Sequence, residues 1–366
     1  MRIGFVLAAL QAGGAERVVS QLSAAMVERG WSVEVITFDR PDDPIYHHLD
    51  PRVVCTRLAL PSDGGGMRGA WRSARRIAAL RRHLKTRRFD TVISFLTKIN
   101  VITLLAGAGL SSPIIVSERN NPLRQQASKL WHLSTGLLYR DAADIVIMSE
   151  RSRQALPASV RSRATIISNP VRDSGVCPAS QARTFVAVGR LTHQKGFDLL
   201  IDAFAMAAPS LPGWQLIIYG EGPDRAQLEQ RRMRHGLLHR VHLPGTTNVP
   251  QEWISQASVF VLSSRYEGWP NALAEALAAG TPCIAFDCDF GAAEMVIPDE
   301  TGLLVPAEDV SALARALQRL ADNPALRHRL ATAARVKMTQ FEADRIIDQW
   351  RKLVIAAGAS GPSAPK

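Results

Sequence analysis

Residues 263–282 read SSRYEGWPNALAEALAAGTP. A loop containing Gly268 and Pro270 opens onto a run, Ala272 to Ala279, that is apolar except for Glu275. A carboxylate among Leu and Ala is costly to bury unless it has a partner. The strand-like run SVFVLSS (258–264) leads into the stretch and PCIAFD (282–287) leads out of it. Strand, loop, a helix opening where proline is tolerated, and strand again form one unit of a parallel α/β sheet.

In such a unit Glu267 stands in the loop beyond a strand and Glu275 about one turn inside the next helix. The backbone N–H groups of Asn271, Ala272 and Leu273 point out of that helix's N-terminus, an anion site suited to a phosphate. Glu275, further along the helix, can accept two ribose hydroxyl hydrogens, while Glu267 can reach a sugar beyond the phosphates. For this stretch alone, a surface helix with a solvated Glu is the competing reading.

Working outward, VAVGRLTHQKGFDLLIDAF (186–204) sets Gly189, Arg190 and Lys195 after another strand, with an amphipathic helix behind. Two cations at a strand's carboxyl end would clamp a diphosphate; the bland option is cations that cap carbonyls or pair with nearby acids. YGEGPDRAQLEQ (219–230) supplies Gly220 and Gly222, and HLPGTTN (242–248) supplies Pro244 and Gly245. Both loops could line a nucleobase with backbone groups. FGAAEMVIPDETGLLVP (290–306) adds Glu294 near a further strand end.

The same alternation fills the chain. Strands are predicted at 2–10, 32–38, 91–96, 113–118, 144–149 and 164–170, then at 183–189, 214–222, 240–245, 258–264 and 282–287. Two such runs in 366 residues predict an α/β protein of two doubly wound Rossmann-like domains facing across a cleft. The expected boundaries are a first domain at 1–170, a Gly/Pro/Ser-containing linker at 171–183 and a second domain at 184–340. A helix at 341–357 would cross back to the first domain, and 358–366 would form a disordered tail.

Composition narrows the function classes. The four cysteines, Cys55, Cys177, Cys283 and Cys288, form no C-x-x-C pair, which argues against a disulfide framework or structural metal and for a reducing cytosol. The opening MRIGFVLAALQAGGAER has only an eight-residue apolar run, Ile3 to Leu10, and reads as a buried strand feeding a Gly-rich turn at Gly14 rather than a signal peptide. No run approaches the ~18 apolar residues of a spanning helix. The net charge of +11 lies wholly in residues 1–170, which hold 24 Lys/Arg against 13 Asp/Glu; an acidic partner is met there or steered there.

Taken in order, G-R-L-x-x-x-K-G, G-x-G, P-G, E-G-x-P-x-x-L-x-E-A and the segment around Glu294 resemble the family-4 retaining glycosyltransferases of GT-B fold. The resemblance covers the whole chain, since GGAER (13–17) matches that family's N-terminal loop. It implies a nucleotide-diphosphate sugar held mainly by the second domain, with Glu267 near the donor sugar and Glu275 on the ribose. Arg190 and Lys195 would neutralise charge on the leaving diphosphate; with those cations in place no metal or other cofactor is expected. SFLTKIN (94–100) and VSERNNP (116–122) look most similar to the branch extending undecaprenyl-diphosphate-linked saccharides for bacterial polysaccharide or N-glycan assembly. Many relatives carry a His near position 119, where this chain has Glu118 and Arg119. Either these two take over positioning, or the mechanism needs no base there, as in a front-face route where the leaving phosphate accepts the proton. The D-x-D of Asp287 and Asp289 resembles the metal motif of the other major glycosyltransferase fold, but its late position suits a turn that shapes the donor pocket.

One segment stands apart. MRGAWRSARRIAALRRHLKTRRF (67–89) has nine cations between Arg68 and Arg88 and no acid, with Trp71, Ala74, Ile77, Leu80 and Leu84 in a helical stripe. It reads as a solvated basic face, as a helix docking on an anionic membrane, or as a holder for an acceptor's pyrophosphate through Arg68, Arg72, Arg75, Arg76, Arg81 and Arg82. Nucleic acid is set aside because interleaved aromatics and recognition motifs are absent. The expectation is a UDP-sugar-dependent transferase acting on a lipid-linked saccharide at the cytosolic face of the membrane. Its rivals are a GDP-mannose-dependent enzyme, a nucleotide-sugar 2-epimerase and a non-enzymatic sugar-nucleotide sensor.

Overall fold

Continuous apolar runs such as IGFV and IIVS suit strands covered on both faces, and parallel sheets flanked by helices provide that burial. The computed structural model describes residues 1–11, 13–61, 67–119, 129–172, 175–179, 182–247, 249 and 251–359. The chain divides into two compact units, Met1–Pro170 with Asp344–Lys366, and Val171–Ala343.

The first unit holds strands β1 (Arg2–Val6), β2 (Ser32–Thr37), β3 (Val54–Arg57), β4 (Thr91–Phe95), β5 (Ile114–Ser117), β6 (Asp144–Ile147) and β7 (Ala164–Ile166). They form one sheet in the order β3-β2-β1-β4-β5-β6-β7, every pair parallel. Phe5 sits in register with Val35 on one side and Ile93 on the other. The order therefore reverses between β1 and β4, which is where sheets of this kind bind ligands.

Helix Ala343–Ala359 belongs to this unit from Asp344 onward. Its buried residues Ile346, Ile347, Trp350 and Val354 make a stripe at helical spacing. Trp350 is fully buried, 6.1 Å from Phe95 between ring centroids. Of the predicted tail at 358–366, Gly358 and Ala359 continue this helix, and 360–366 lie outside the described residues.

The second unit holds β8 (Thr184–Val188), β9 (Gln215–Tyr219), β10 (Val241–Gly245), β11 (Val259–Leu262), β12 (Cys283–Asp287) and β13 (Leu303–Pro306). The order is β10-β9-β8-β11-β12-β13, again all parallel, with the reversal between β8 and β11. Its core is built around Phe185, stacked on Trp214 at 4.5 Å, and Phe204. Within this unit Val171 and Glu342 form a parallel bridge, with Val171 donating to the Phe341 carbonyl at 2.9 Å.

Two strands escape the sequence reading. β3 is a sheet edge with no buried residue, and VCTR lacks an apolar run. β13, an edge of the second sheet, has only four residues. The predicted first strand is also too long: β1 ends at Val6, while Leu7 and Leu10 beyond it are buried as well. Apolar patterning reports burial, not backbone pairing.

The basic segment forms helix Met67–Arg87, but its stripe splits. Leu80 and Leu84 are buried, whereas Trp71 is 63% exposed and Ala74 is exposed. Arg76 takes the inner position instead, its Nε donating to the Leu60 carbonyl at 2.7 Å and its guanidinium over the Phe38 ring. No helix among the described residues is long and apolar enough to cross a membrane.

Candidate active site

Because β8 and β11 are hydrogen-bonded neighbours running the same way, the loops that leave them emerge side by side. Ser263 Oγ donates to the Lys195 carbonyl at 2.9 Å, Arg265 N–H to the Gln194 carbonyl at 2.8 Å, and Gln194 Nε2 to the Tyr266 carbonyl at 3.0 Å. Gly196, at φ 61°, closes the first loop in the left-handed region, and a Cβ there would collide with the Ser263 carbonyl. Arg265 adds a bidentate pair to Asp198 at 2.8 and 2.7 Å. Burial pushes the Asp198 carboxyl up, but the Arg265 hydrogen bonds and charge outweigh it and hold it below the usual value.

The two loops bring the predicted residues together. Lys195 Nζ lies 2.7 Å from Glu267 Oε1, and Ser264 Oγ donates to the same oxygen at 2.6 Å. Glu267 is 5% exposed, so its charge needs these partners. Arg190, one residue after Gly189 on the same loop, is exposed and has no side-chain partner among the described residues.

Behind Glu267, helix Asn271–Ala278 begins after Pro270. Its first intrahelical bond runs from Ala274 N–H to the Pro270 carbonyl at 3.1 Å, so the amides of Asn271, Ala272 and Leu273 lie ahead of it. Glu275 follows on the same helix and is 8% exposed.

The remaining loops lie on the same edge. Gly189 N–H donates to the Tyr219 carbonyl at 3.0 Å, Gly220 N–H to the Gly245 carbonyl at 2.8 Å, and Leu191 N–H to the Glu221 carbonyl at 2.9 Å. Gly220, at φ 143°, has no room for a Cβ against the Gly189 carbonyl, nor has Gly222 against that of Leu191. Pro244 is exposed beside buried Gly245 at the end of β10. Glu294 sits in the short helix Ala292–Met295 and is half-buried.

The turn after β12 is a support for the Glu267 loop. The Asp289 carbonyl accepts from Glu267 N–H at 3.3 Å, and Tyr266 and Asp289 form a parallel bridge. Burial, with Glu267 beside it, pushes the Cys288 thiol up to about 12. Among the described residues no group of three or more His, Cys, Asp or Glu is arranged to hold a metal ion.

In the first unit, Gly14 opens helix Gly14–Glu28 after β1 and is exposed. His47 Nε2 lies 3.1 Å from the carbonyl of the preceding Gly13. Burial lowers the His47 pKa and raises that of Glu16 in the helix's first turn.

Glu118 and Arg119 stand just beyond β5 and turn inward, 5% and 6% exposed. Glu118 receives Thr97 Oγ1 at 2.8 Å, Asn100 Nδ2 at 3.2 Å and the Tyr139 hydroxyl. Burial raises its pKa against those donors and raises that of Tyr139 well above the usual value. Arg119 donates to Ser117 Oγ and Asn169 Oδ1, both at 2.7 Å, and its guanidinium lies over the Phe95 and Trp350 rings. Burial pulls it down to about 9. Both side chains are buried within the unit and engaged there. Thr97, Asn100, Tyr139 and Trp350 escaped the sequence reading because nothing local announces a buried network.

Of the basic residues, Arg72, Arg75 and Arg82 are exposed, with Arg75 stacked over Trp71 at 4.8 Å. Arg76 is buried, and Arg81 is committed to the Ala106 and Ala108 carbonyls at 2.9 and 2.6 Å. Arg76 and Arg81 therefore already hold backbone carbonyls within this unit. The side chain of Arg68 lies outside the described residues.

Two Rossmann-like parallel sheets in one chain are the architecture of the GT-B transferases. Residues 13–170 match the glycosyl transferase 4-like domain and residues 178–337 match the glycosyl transferases group 1 family. The chain belongs to the group 1 glycosyl transferases. It is 26% identical over 359 residues to a Campylobacter jejuni enzyme named GalNAc-alpha-(1->4)-GalNAc-alpha-(1->3)-diNAcBac-PP-undecaprenol alpha-1,4-N-acetyl-D-galactosaminyltransferase, covering 97% of this chain and 98% of that one. It is 34% identical over 282 residues to an exopolysaccharide phosphotransferase of Streptomyces coelicolor, a longer protein; the match covers 75% of this chain and 29% of that one. Among solved structures, the sucrose-phosphate synthase of Thermosynechococcus elongatus superposes with a TM-score of 0.83 at 22% identity, covering 98% of this chain and 99% of that one.

Proposed function

We propose that this glycosyltransferase moves a hexose or N-acetylhexosamine, with retention, from a UDP-sugar to a lipid-linked glycan in bacterial polysaccharide or glycan assembly, at the cytosolic face of the membrane. One observation carries the reading: Lys195 and Glu267, from adjacent strand ends, meet at 2.7 Å on the edge that also bears Arg190 and the N-terminus of helix Asn271–Ala278. In this reading the helix amides and the two cations hold the diphosphate and neutralise the negative charge that grows on it as the glycosidic bond breaks. They do so without a metal. Glu275 accepts from the ribose hydroxyls and Glu267 from hydroxyls of the departing sugar. The leaving phosphate takes the acceptor's proton on the same face, so no protein nucleophile is required.

The acceptor class rests on the undecaprenol-linked substrate in the name of the C. jejuni relative and on the basic helix of the first unit. Exposed Trp71, Arg72, Arg75 and Arg82 suit an anionic lipid surface or an acceptor pyrophosphate. The test is a thermal-shift panel of UDP-glucose, UDP-galactose, UDP-GlcNAc, UDP-GalNAc and GDP-mannose, because a true donor raises the melting temperature by mass action. UDP-sugar stabilisation together with slow UDP release, cut to a low residual rate by Glu267→Ala while UDP still binds, supports the transferase. Stabilisation by GDP-mannose alone reassigns the donor, and binding without turnover makes the protein a sensor.

A further inference from the structure

Both hydrogen bonds that the described residues make to the Glu267 carboxylate fall on one oxygen. Lys195 Nζ reaches Oε1 at 2.7 Å and Ser264 Oγ reaches it at 2.6 Å. Ser264 is 1% exposed and sits at the turn where β11 ends and the loop begins. Its neighbour Ser263, also 1% exposed, donates to the Lys195 carbonyl at 2.9 Å, so consecutive hydroxyls tie down the two members of the ion pair, one by its side chain and one by its backbone. From the other side the Asp289 carbonyl accepts the Glu267 N–H at 3.3 Å.

We propose that Ser264 is a positioning residue for the transfer reaction: its hydroxyl, with the Lys195 ammonium, pins Glu267 Oε1 so that Oε2 is presented to the hydroxyls of the donor sugar. This rests on the donor-sugar role of Glu267 given above. A carboxylate held by Lys195 alone can pivot about that contact, because an ammonium is a compact charge with rotatable donors and no directional fork. A second donor on the same oxygen removes that freedom, and a hydroxyl does so without adding charge beside the diphosphate. The geometry of the reacting sugar is set by such second contacts, where small displacements are costly.

The test uses the full chain, with UDP-glucose, UDP-galactose, UDP-GlcNAc and UDP-GalNAc as donors and UDP release as the readout. Ser264→Ala is expected to lower kcat roughly 10–100-fold, the scale of one lost hydrogen bond to a charged group. The sugar-nucleotide KM and the calorimetric Kd for UDP should change by less than about 3-fold, since neither the ribose nor the diphosphate contacts are touched. Ser264→Thr, which keeps the hydroxyl, should restore the rate to within about 3-fold of wild type. In a Glu267→Ala background, adding Ser264→Ala should change kcat by less than about 2-fold, because the group it positions is gone. A Ser264→Ala enzyme at wild-type rate, an equal loss in both backgrounds, or failure of Ser264→Thr to rescue overturns the positioning role. Full turnover by Glu267→Ala itself overturns the role of Glu267 instead, and is read from that single variant.

Discussion

Lys195 and Glu267 are 72 residues apart in sequence and 2.7 Å apart in space. Each is delivered by the carboxyl end of its own strand, and β8 and β11 are neighbours only because the sheet order reverses between them. The pair joins the cation proposed for the diphosphate to the carboxylate proposed for the sugar.

Lys195→Ala and Arg190→Ala should both slow turnover, by about 10²–10³-fold for one lost donor at a developing charge, yet differ in stability. Loss of Lys195 leaves the buried Glu267 carboxylate with Ser264 alone, so the melting temperature falls. Arg190 is exposed and without a side-chain partner among the described residues, so its removal leaves the melting temperature unchanged. Rates within about 3-fold of wild type for both would rule out the diphosphate clamp, and equal melting shifts would contradict the pairing.

Glu275→Ala is expected to weaken UDP about 10-fold or more, as for hydrogen bonds to a charged acceptor. The loss should be equal for UDP and a UDP-sugar, because the contact is with ribose. Calorimetry measures both, and unchanged UDP affinity would remove Glu275 from the site.

Serine in place of Trp71, Arg72, Arg75 and Arg82 should reduce binding to phosphatidylglycerol-rich vesicles by about 1 kcal/mol per arginine. The difference from wild type should shrink at high salt. Arg76→Ser should act on folding instead, costing ~1–3 kcal/mol by stranding the Leu60 carbonyl. Vesicle sedimentation and thermal melts separate the two effects; equal sedimentation of the serine variant at low salt leaves the helix as plain surface.

Burial lowers the His47 pKa below its ordinary 6.5. The unfolded chain therefore binds more protons than the folded one below about pH 6.5, so stability rises with pH through that window and falls as acid is added. His47→Asn should flatten this slope between about pH 5 and 7 while leaving the alkaline side unchanged. Melting curves at several pH values check it; identical slopes for variant and wild type would assign the acid sensitivity to other groups.

Much of the fold is legible in the chain because parallel strands covered on both faces are written as short apolar runs, and those at β1, β2, β8 and β9 are unmistakable. Edge strands β3 and β13 are not: VCTR has no apolar run, and LLVP is only four residues long. The site residues of the second unit are legible because a loop after a strand and a helix N-terminus leave local marks: Gly196, Gly220, Pro270. The surroundings of Glu118 and Arg119 are not legible in the same way. Charged residues after a strand suggest a surface, but here uncharged donors and two aromatic rings accept them into the interior.

Sequence alone determined the two strand–helix series, the residues gathered at their loop ends and the surplus of positive charge in residues 1–170, because periodicity, turn chemistry and charge are properties of neighbours along the chain. Tertiary structure decided which of these residues touch: that Ser264 and Lys195 share one oxygen of Glu267, and that Arg76 is packed inside while Arg72, Arg75 and Arg82 face water. Strand order and helix rotation set those contacts, and both come from burying the largest apolar area across the whole unit, which no local stretch specifies.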